Sequence, residues 1–243
     1  NYIKFKSKIF FAQKSKDYFY INPKNKFSKS IENIFKEKKI KSKLQKININ
    51  KSKFLLKKIN NKFFESKCNI ENLAFAYKIA KNLKINDLII IKALNKFKGL
   101  PHRQEVFFKK NNFAFVNDSK ATSFDAAFQS LSTYNNIYWI VGGLPKHKDR
   151  FELKKISKNI IKAYIVGKNT SFFANKIRKE INHAISYNLN NAIKNILNDV
   201  KKDNLKNCTI LLSPAAASYD QFNNFEERGN FFKNQIIKNF KIN

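Results

Sequence analysis

A chain of 243 residues, 43% apolar and 14% aromatic, is long enough to bury one or two hydrophobic cores and too apolar to be intrinsically disordered. Its formal net charge of +32 first suggests a nucleic-acid surface, but nearly all of that charge is lysine scattered along the whole chain. Arginine, whose fork suits phosphate and base contacts, occurs only at Arg103, Arg150, Arg178 and Arg228; the surplus of Lys, Asn, Ile and Phe fits an A+T-rich coding bias, and no nucleic-acid partner is expected.

In chain order, "YFYI" (18–21) reads as a strand, "SKSIENIFKEKK" as a helix and "NIENLAFAYKIAKNL" as an amphipathic helix. "NDLIIIKALNKF" reads as a further helix capped by Asn86 or Asp87, and it stops at "KGLPHR", where Gly99 and Pro101 break the period. A domain boundary is expected there. Beyond it, β-rich apolar runs recur at "FAFV" (113–116), "IYWIVGG" (137–143), "AYIVG" (163–167), "AISY" (184–187) and "CTILLS" (208–213). Helical stretches separate them ("FDAAFQSLSTY", "SFFANKIRKE", "NNAIKNILNDVKK"), and a last helix is expected at about 226–240. Strand and helix alternating at this period predict βαβ units and a mostly parallel sheet. The fold class is therefore α/β: residues 1–98 form the end of one α/β domain and residues 99–243 a complete Rossmann-like domain.

Cys68 and Cys208 have no paired spacing, and His102, His147 and His183 do not cluster as metal ligands. A reduced, cytoplasmic setting fits. No apolar run approaches a membrane span, so no membrane insertion is expected. The chain contains no methionine and starts at Asn1, which is read as a fragment or a processed piece of a longer product.

In a parallel α/β sheet, ligands bind beyond the carboxyl ends of the strands, and three polar clusters fall there. In the first, Asn117–Thr122, Thr122 or Ser123 is placed to cap the following helix, whose free N–H groups favour an anion. Lys120 adds a mobile positive charge, and Asp118 an acceptor for a ribose hydroxyl or a cation. A cap with a salt bridge would look the same. In the second, "GGLPK" (142–146), two glycines allow close backbone approach to a ligand and a tight turn presents Lys146; a plain turn is the alternative. The third, "SPAAASYDQFNNFEERG" (213–229), is a long strand-to-helix connection carrying Asp220, Glu226, Glu227 and Arg228. Such length marks a binding loop or a solvated one.

Taken in order and spacing, "GLPHR", "NDSKAT", "GGLPK" and "LLSPAAASYDQFNNFEERG" resemble the D-glutamate-adding ligases of the Mur ligase family. The resemblance implies that residues 1–98 are the C-terminal part of a central ATP-binding (ATPase) domain and residues 99–243 the C-terminal Rossmann-like domain. It implies ATP-dependent ligation of D-glutamate to UDP-N-acetylmuramoyl-L-alanine through an acyl phosphate, in peptidoglycan precursor synthesis, with ATP and Mg2+ as cofactors. By position, Arg103 falls on the phosphate side of ATP, Asp118 on the ribose, and Asn69 and Asn72 near the adenine. Lys120, Thr122, Lys146, Ser218 and Phe225 fall in the D-glutamate pocket: Lys146 as charge partner of a carboxylate, Thr122, Ser218 and the Phe225 backbone as hydrogen-bond donors. Lys120 and Arg103 take the catalytic roles, and Lys6, in "YIKFKSKIF", falls at a lysine that holds magnesium as its carbamate. The full-length form is expected to be monomeric.

The sequence also departs from the family. It lacks the Gly-rich phosphate loop, the upstream Glu and His, and the UDP-sugar domain. Cys68 stands where a His is usual, and Pro145 interrupts "GGLPK". The chain alone is therefore expected to bind ATP poorly and to catalyse nothing. Three alternatives are a relative that adds glutamate to folate, a basic nucleic-acid-binding module, and a non-catalytic remnant. The long third cluster disfavours the folate reading, and the retention of Arg103, Asp118, Lys120, Thr122, Lys146 and Ser218 speaks against decay.

Overall fold

The computed structural model describes residues 2–25, 27–65, 67–146, 149–205 and 207–241, with the backbone alone at positions 2–4, 6, 62, 65, 67, 68, 240 and 241. The side chains of Lys6 and Cys68, and the whole of His147, thus lie outside the described residues. The chain divides into two compact units, Asn1–Lys98 and Gly99–Asn243.

The first unit runs α1 (Tyr2–Phe11), β1 (Tyr18–Ile21), α2 (Ser28–Glu37), β2 (Lys43–Lys46), α3 (Lys53–Leu56), α4 (Lys67–Asn82) and α5 (Asp87–Lys96). β1 and β2 pair in parallel, from Tyr18 opposite Lys43 to Ile21 opposite Lys46. Phe10, Phe19 and Phe35 pack ring against ring with centroids 5.0–5.3 Å apart, and Leu55, Phe64 and Leu73 form a second core with Tyr77 and Leu94. Asn86 caps α5 as expected, accepting from the Leu88 amide at 2.8 Å. Sequence reasoning missed α1 and β2. The four residues of β2, "KLQK", end in exposed lysines and carry too little apolar alternation to read as a strand.

The second unit adds β3 (Glu105–Lys110), β4 (Phe113–Asn117), α6 (Phe124–Thr133), β5 (Ile137–Gly142), β6 (Ile160–Val166), α7 (Thr170–Ile177), β7 (His183–Tyr187), α8 (Leu189–Asp203), β8 (Cys208–Leu212) and α9 (Phe225–Lys241). Six strands lie in the order β3-β4-β8-β5-β6-β7. All neighbours are parallel except β3, which runs antiparallel to β4. β5 and β8 are buried along their whole length, which is why their sequences are continuous apolar runs.

Alternate side chains divide between the two faces of the sheet. Trp139 and Val141 join α6 and α7 in one core with Phe124, Leu131, Phe173 and Ile177. Tyr138 and Ile140 join α8 and α9 in the other with Ile193, Ile196, Phe232 and Ile236. The buried tyrosine hydroxyls have partners: Tyr138 donates to Asp203, and Tyr164 to Asp199 Oδ2 at 2.7 Å, where Lys162 also binds. Sequence analysis missed β3, an edge strand reached through a tight turn in which Asn111 takes φ +54°.

Gly142 ends β5 at φ +133°, and a Cβ there would stand 1.9 Å from the carbonyl oxygen of Val166. Because the obstacle is backbone, the neighbouring strand has to move. Gly142→Ala is expected to destabilise the second unit by at least about 3 kcal/mol. Urea unfolding followed by the fluorescence of Trp139, the single tryptophan, reads this directly.

Candidate functional site at the carboxyl edge of the sheet

The connection from β8 to α9 runs along the carboxyl edge and bonds to each loop it passes. Asp118 N donates to Leu212 O at 2.8 Å, and Gly142 N to Pro214 O at 2.9 Å. Leu144 and Ala217 exchange two backbone bonds of 2.9 and 3.0 Å as an antiparallel bridge. Asp220 accepts from the Lys168 amide at 3.0 Å, and Gln221 Nε2 donates to Tyr187 O at 2.9 Å. The loops after β4, β5, β6 and β7 are thereby held by one segment. Its Ser213, Ala215, Ala216 and Ser218 are at most 3% exposed, so the first half of the third polar cluster is buried, while Tyr219, Gln221, Asn223, Asn224, Glu226 and Glu227 face solvent.

Arg228 locks this segment to the first cluster. It is 3% exposed. Its Nε donates to Ser119 Oγ at 2.9 Å, and its Nη2 to the carbonyls of Ser119 at 2.9 Å and Ala216 at 3.0 Å. Ser119 Oγ in turn donates to Phe225 O at 2.8 Å. Burial lowers the guanidinium to about 10, with Asp220 opposing, so it stays charged at neutral pH. Sequence analysis grouped Arg228 with a charged loop and gave it no role. A usable signal was there: in a chain whose cations are almost all lysine, an arginine marks a place that needs a rigid fork.

Asp118 is 6% exposed and already engaged from within the chain. Oδ2 accepts from Ser130 Oγ at 2.6 Å and Ser213 Oγ at 2.8 Å, and Oδ1 from the Gln104 amide at 3.2 Å. Burial pushes its carboxyl up to about 6, against those hydrogen bonds and the charge of Arg103. Behind it, Asn117 Oδ1 accepts from the Ser119 amide, which assigns Asn117 Nδ2 as donor to His102 Nδ1 at 2.9 Å and Glu105 Oε2 at 3.1 Å. Burial holds the buried His102 below the usual histidine range, consistent with a neutral ring accepting at Nδ1. Burial alone would raise Glu105, but the His102 amide and Lys233 outweigh it and hold it low. The role of His102 was not anticipated from the sequence.

The expected D-glutamate residues stand on the three tied loops. Lys120 and Thr122 are half-buried on the β4–α6 loop, and Lys120 Nζ lies 3.5 Å from the Phe225 ring centroid, a contact worth about 0.5–2 kcal/mol. Lys146 is exposed two residues beyond the Leu144–Ala217 bridge, and the buried Ser218 follows Ala217 directly. Arg103 is exposed beside His102. Asn69 and Asn72 lie one helical turn apart on α4 of the first unit, Asn69 Nδ2 donating to Phe63 O at 2.7 Å.

The expected helix cap is corrected. Ser123 occupies the N-cap position of α6 without a side-chain bond; the Phe124 amide instead donates to Asp149 Oδ2 at 2.8 Å. The cap comes from the loop after β5, a partner that spacing alone does not reveal. Among the described residues no group of three or more His, Cys, Asp or Glu side chains is placed to hold a metal ion, and no helix is long and apolar enough to cross a membrane.

No protein-family model matches the chain. It is 36% identical over 245 residues to the UDP-N-acetylmuramoylalanine–D-glutamate ligase of Rickettsia felis, covering 95% of this chain and 55% of that protein. It is 40% identical over 172 residues to the ligase of the same name from Rickettsia conorii, 71% of this chain and 34% of that one. Against the Wolbachia ligase it is 41% identical over 164 residues, 68% of this chain and 33% of that one. The chain thus spans about half or less of the length of these relatives. In fold it is similar to the bifunctional folylpolyglutamate synthase/dihydrofolate synthase of Yersinia pestis CO92, with a TM-score of 0.52 at 12% identity over 85% of this chain and 50% of that one.

Two measurements test this network. With its native carboxyl raised to about 6 from 3.8, Asp118 keeps its proton in the native state between those values, so its contribution to stability falls as pH rises through that window. The lowered His102 acts in the opposite sense; the difference between wild type and Asp118→Asn therefore isolates Asp118. The variant is expected to gain on wild type from pH 4 to 7, by up to roughly 3 kcal/mol. Arg228→Lys is expected to lose about 2 kcal/mol or more, because a single ammonium cannot stand both where Nε serves Ser119 Oγ and where Nη2 serves the Ser119 and Ala216 carbonyls.

Proposed function

In sequence the chain belongs with the UDP-N-acetylmuramoylalanine–D-glutamate ligases of the Mur ligase family, and from that premise we propose that its second unit is the D-glutamate-binding part of such an enzyme. A dicarboxylic amino acid needs two cationic or donor groups at fixed separation and an amine left free. In this reading the Lys146 ammonium pairs with one carboxylate, helped by Thr122. Ser218 and the Phe225 amide donate to the other, and Lys120 adds positive charge beside a carboxylate and where negative charge accumulates. The observation that carries the reading is the β8–α9 connection, which ties the loops bearing all five residues to one sheet edge.

ATP, when bound, would supply the phosphoryl group that activates the carboxylate of UDP-N-acetylmuramoyl-L-alanine, and the free amine of D-glutamate would attack the acyl carbon to form the amide, with inorganic phosphate leaving. The exposed Arg103 is suited to the phosphate side. Asp118 would meet a ribose hydroxyl only through lone pairs its internal donors leave over. Asn69 and Asn72 are the adenine candidates of the first unit, which this reading takes as the C-terminal part of the central ATP-binding domain. Magnesium belongs to the whole reaction; among the described residues no group of three or more His, Cys, Asp or Glu side chains is placed to hold it. We infer that this chain carries one share of the ligase reaction, in cytoplasmic cell-wall precursor synthesis, and does not complete it alone.

Titration of the chain with D-glutamate and L-glutamate by NMR tests the reading. D-glutamate is expected to bind and L-glutamate to bind at least about tenfold more weakly, with Lys146→Ala weakening D-glutamate by about tenfold or more. Equal binding of the two enantiomers would overturn it.

A further inference from the structure

Phe225 stands where the network at the sheet edge converges. Its carbonyl accepts from Ser119 Oγ at 2.8 Å, and Arg228 holds that same hydroxyl. Its ring meets His102 edge to face, with centroids 5.9 Å apart and planes at 81°. Lys120 Nζ lies over the ring, 3.5 Å from its centroid, while the Lys120 amide donates to His102 O at 3.1 Å. Among the described residues no carboxylate lies within ion-pair distance of Lys120.

The choice of partner has a physical consequence. A lysine side chain free in water samples many rotamers, and fixing it on binding weakens affinity. A carboxylate partner would fix it beforehand but neutralise it, and an incoming anion would have to displace that carboxylate. An aromatic face localises the ammonium and leaves its charge intact.

We propose that the Phe225 ring is a positioning residue that holds the charged Lys120 ammonium at the sheet edge, ready for a carboxylate of the incoming amino acid. The family resemblance gave Phe225 a backbone role only. The identity of the anion rests on the functional reading above; the placement of Lys120 does not.

The experiment uses the full chain with 13C-labelled lysine, Lys120 being assigned by loss of its signal in Lys120→Arg. In the wild type the Lys120 ε-methylene is expected strongly upfield of the other lysines, through the ring current of Phe225. It should return to their position in Phe225→Leu and move upfield again in Phe225→Trp. Replacing Phe225 by mono-, di- and trifluorophenylalanine keeps the ring's shape and drains its negative face. D-glutamate affinity is expected to fall stepwise along that series, about three- to tenfold in all, which a purely space-filling ring would not produce. A wild-type Lys120 signal among the ordinary lysines overturns the proposal, as does an upfield signal with D-glutamate binding unchanged along the fluorinated series. An upfield signal in a chain that takes up no D-glutamate keeps the placement of Lys120 and overturns the functional reading instead.

Discussion

A guanidinium removed from water needs acceptors for its N–H groups, and Arg228 finds them for Nε and Nη2 in the carbonyls and hydroxyl of two separate loops. Much of the site geometry depends on this. By gripping Ser119 it fixes the turn between Asp118 and Lys120, and by gripping Ala216 it fixes the segment that bridges to Leu144. Gly143 makes room for the arrangement: a Cβ there would stand 2.3 Å from the Ala217 carbonyl and 3.3 Å from Arg228 Nη1. A buried cation with neutral acceptors is costly to assemble, and the benefit lies in specifying one arrangement of loops.

Cations and acids meet at this edge. Arg228 stays protonated, Lys120 rests on an aromatic face and Lys146 is exposed. Burial raises the carboxyl of Asp118 to about 6, which leaves it mostly ionised at neutral pH and a partial offset to them. Acids elsewhere on the loops are committed: Asp149 to the α6 amide, Asp220 to Lys168, and Glu227 to the amide and side chain of Asn223.

What the sequence disclosed follows from what each residue touches. β5 and β8 were legible because burial on both faces demands unbroken apolar runs, and α9 because Phe232 and Ile236 repeat at helical spacing. β3 escaped because an edge strand needs no such run, and β2 because two of its four residues face water. The placement of candidate residues on strand-end loops was readable from the βα period alone. The bonds joining those loops were not. Asp149 capping α6, Ser213 binding Asp118 and Arg228 binding Ser119 link positions 25, 95 and 109 residues apart, and no local pattern encodes such pairs. Lys120 and Phe225 were both singled out, yet their contact arises only when the first and third clusters are brought together.

The β8–α9 connection also governs when the site can exist. It follows in chain order the loops it binds, which run from the turn at Asp118 to the carbonyl of Tyr187. During synthesis those loops emerge with their amides and carbonyls open to water, and the strand that separates β4 from β5 in the sheet, β8, is still to come. The site is therefore absent from the nascent chain until the sheet has closed around its last strand. Formation of the site and closure of the sheet are one event, set by the sequence-distant pairing of β8 with β4 and β5.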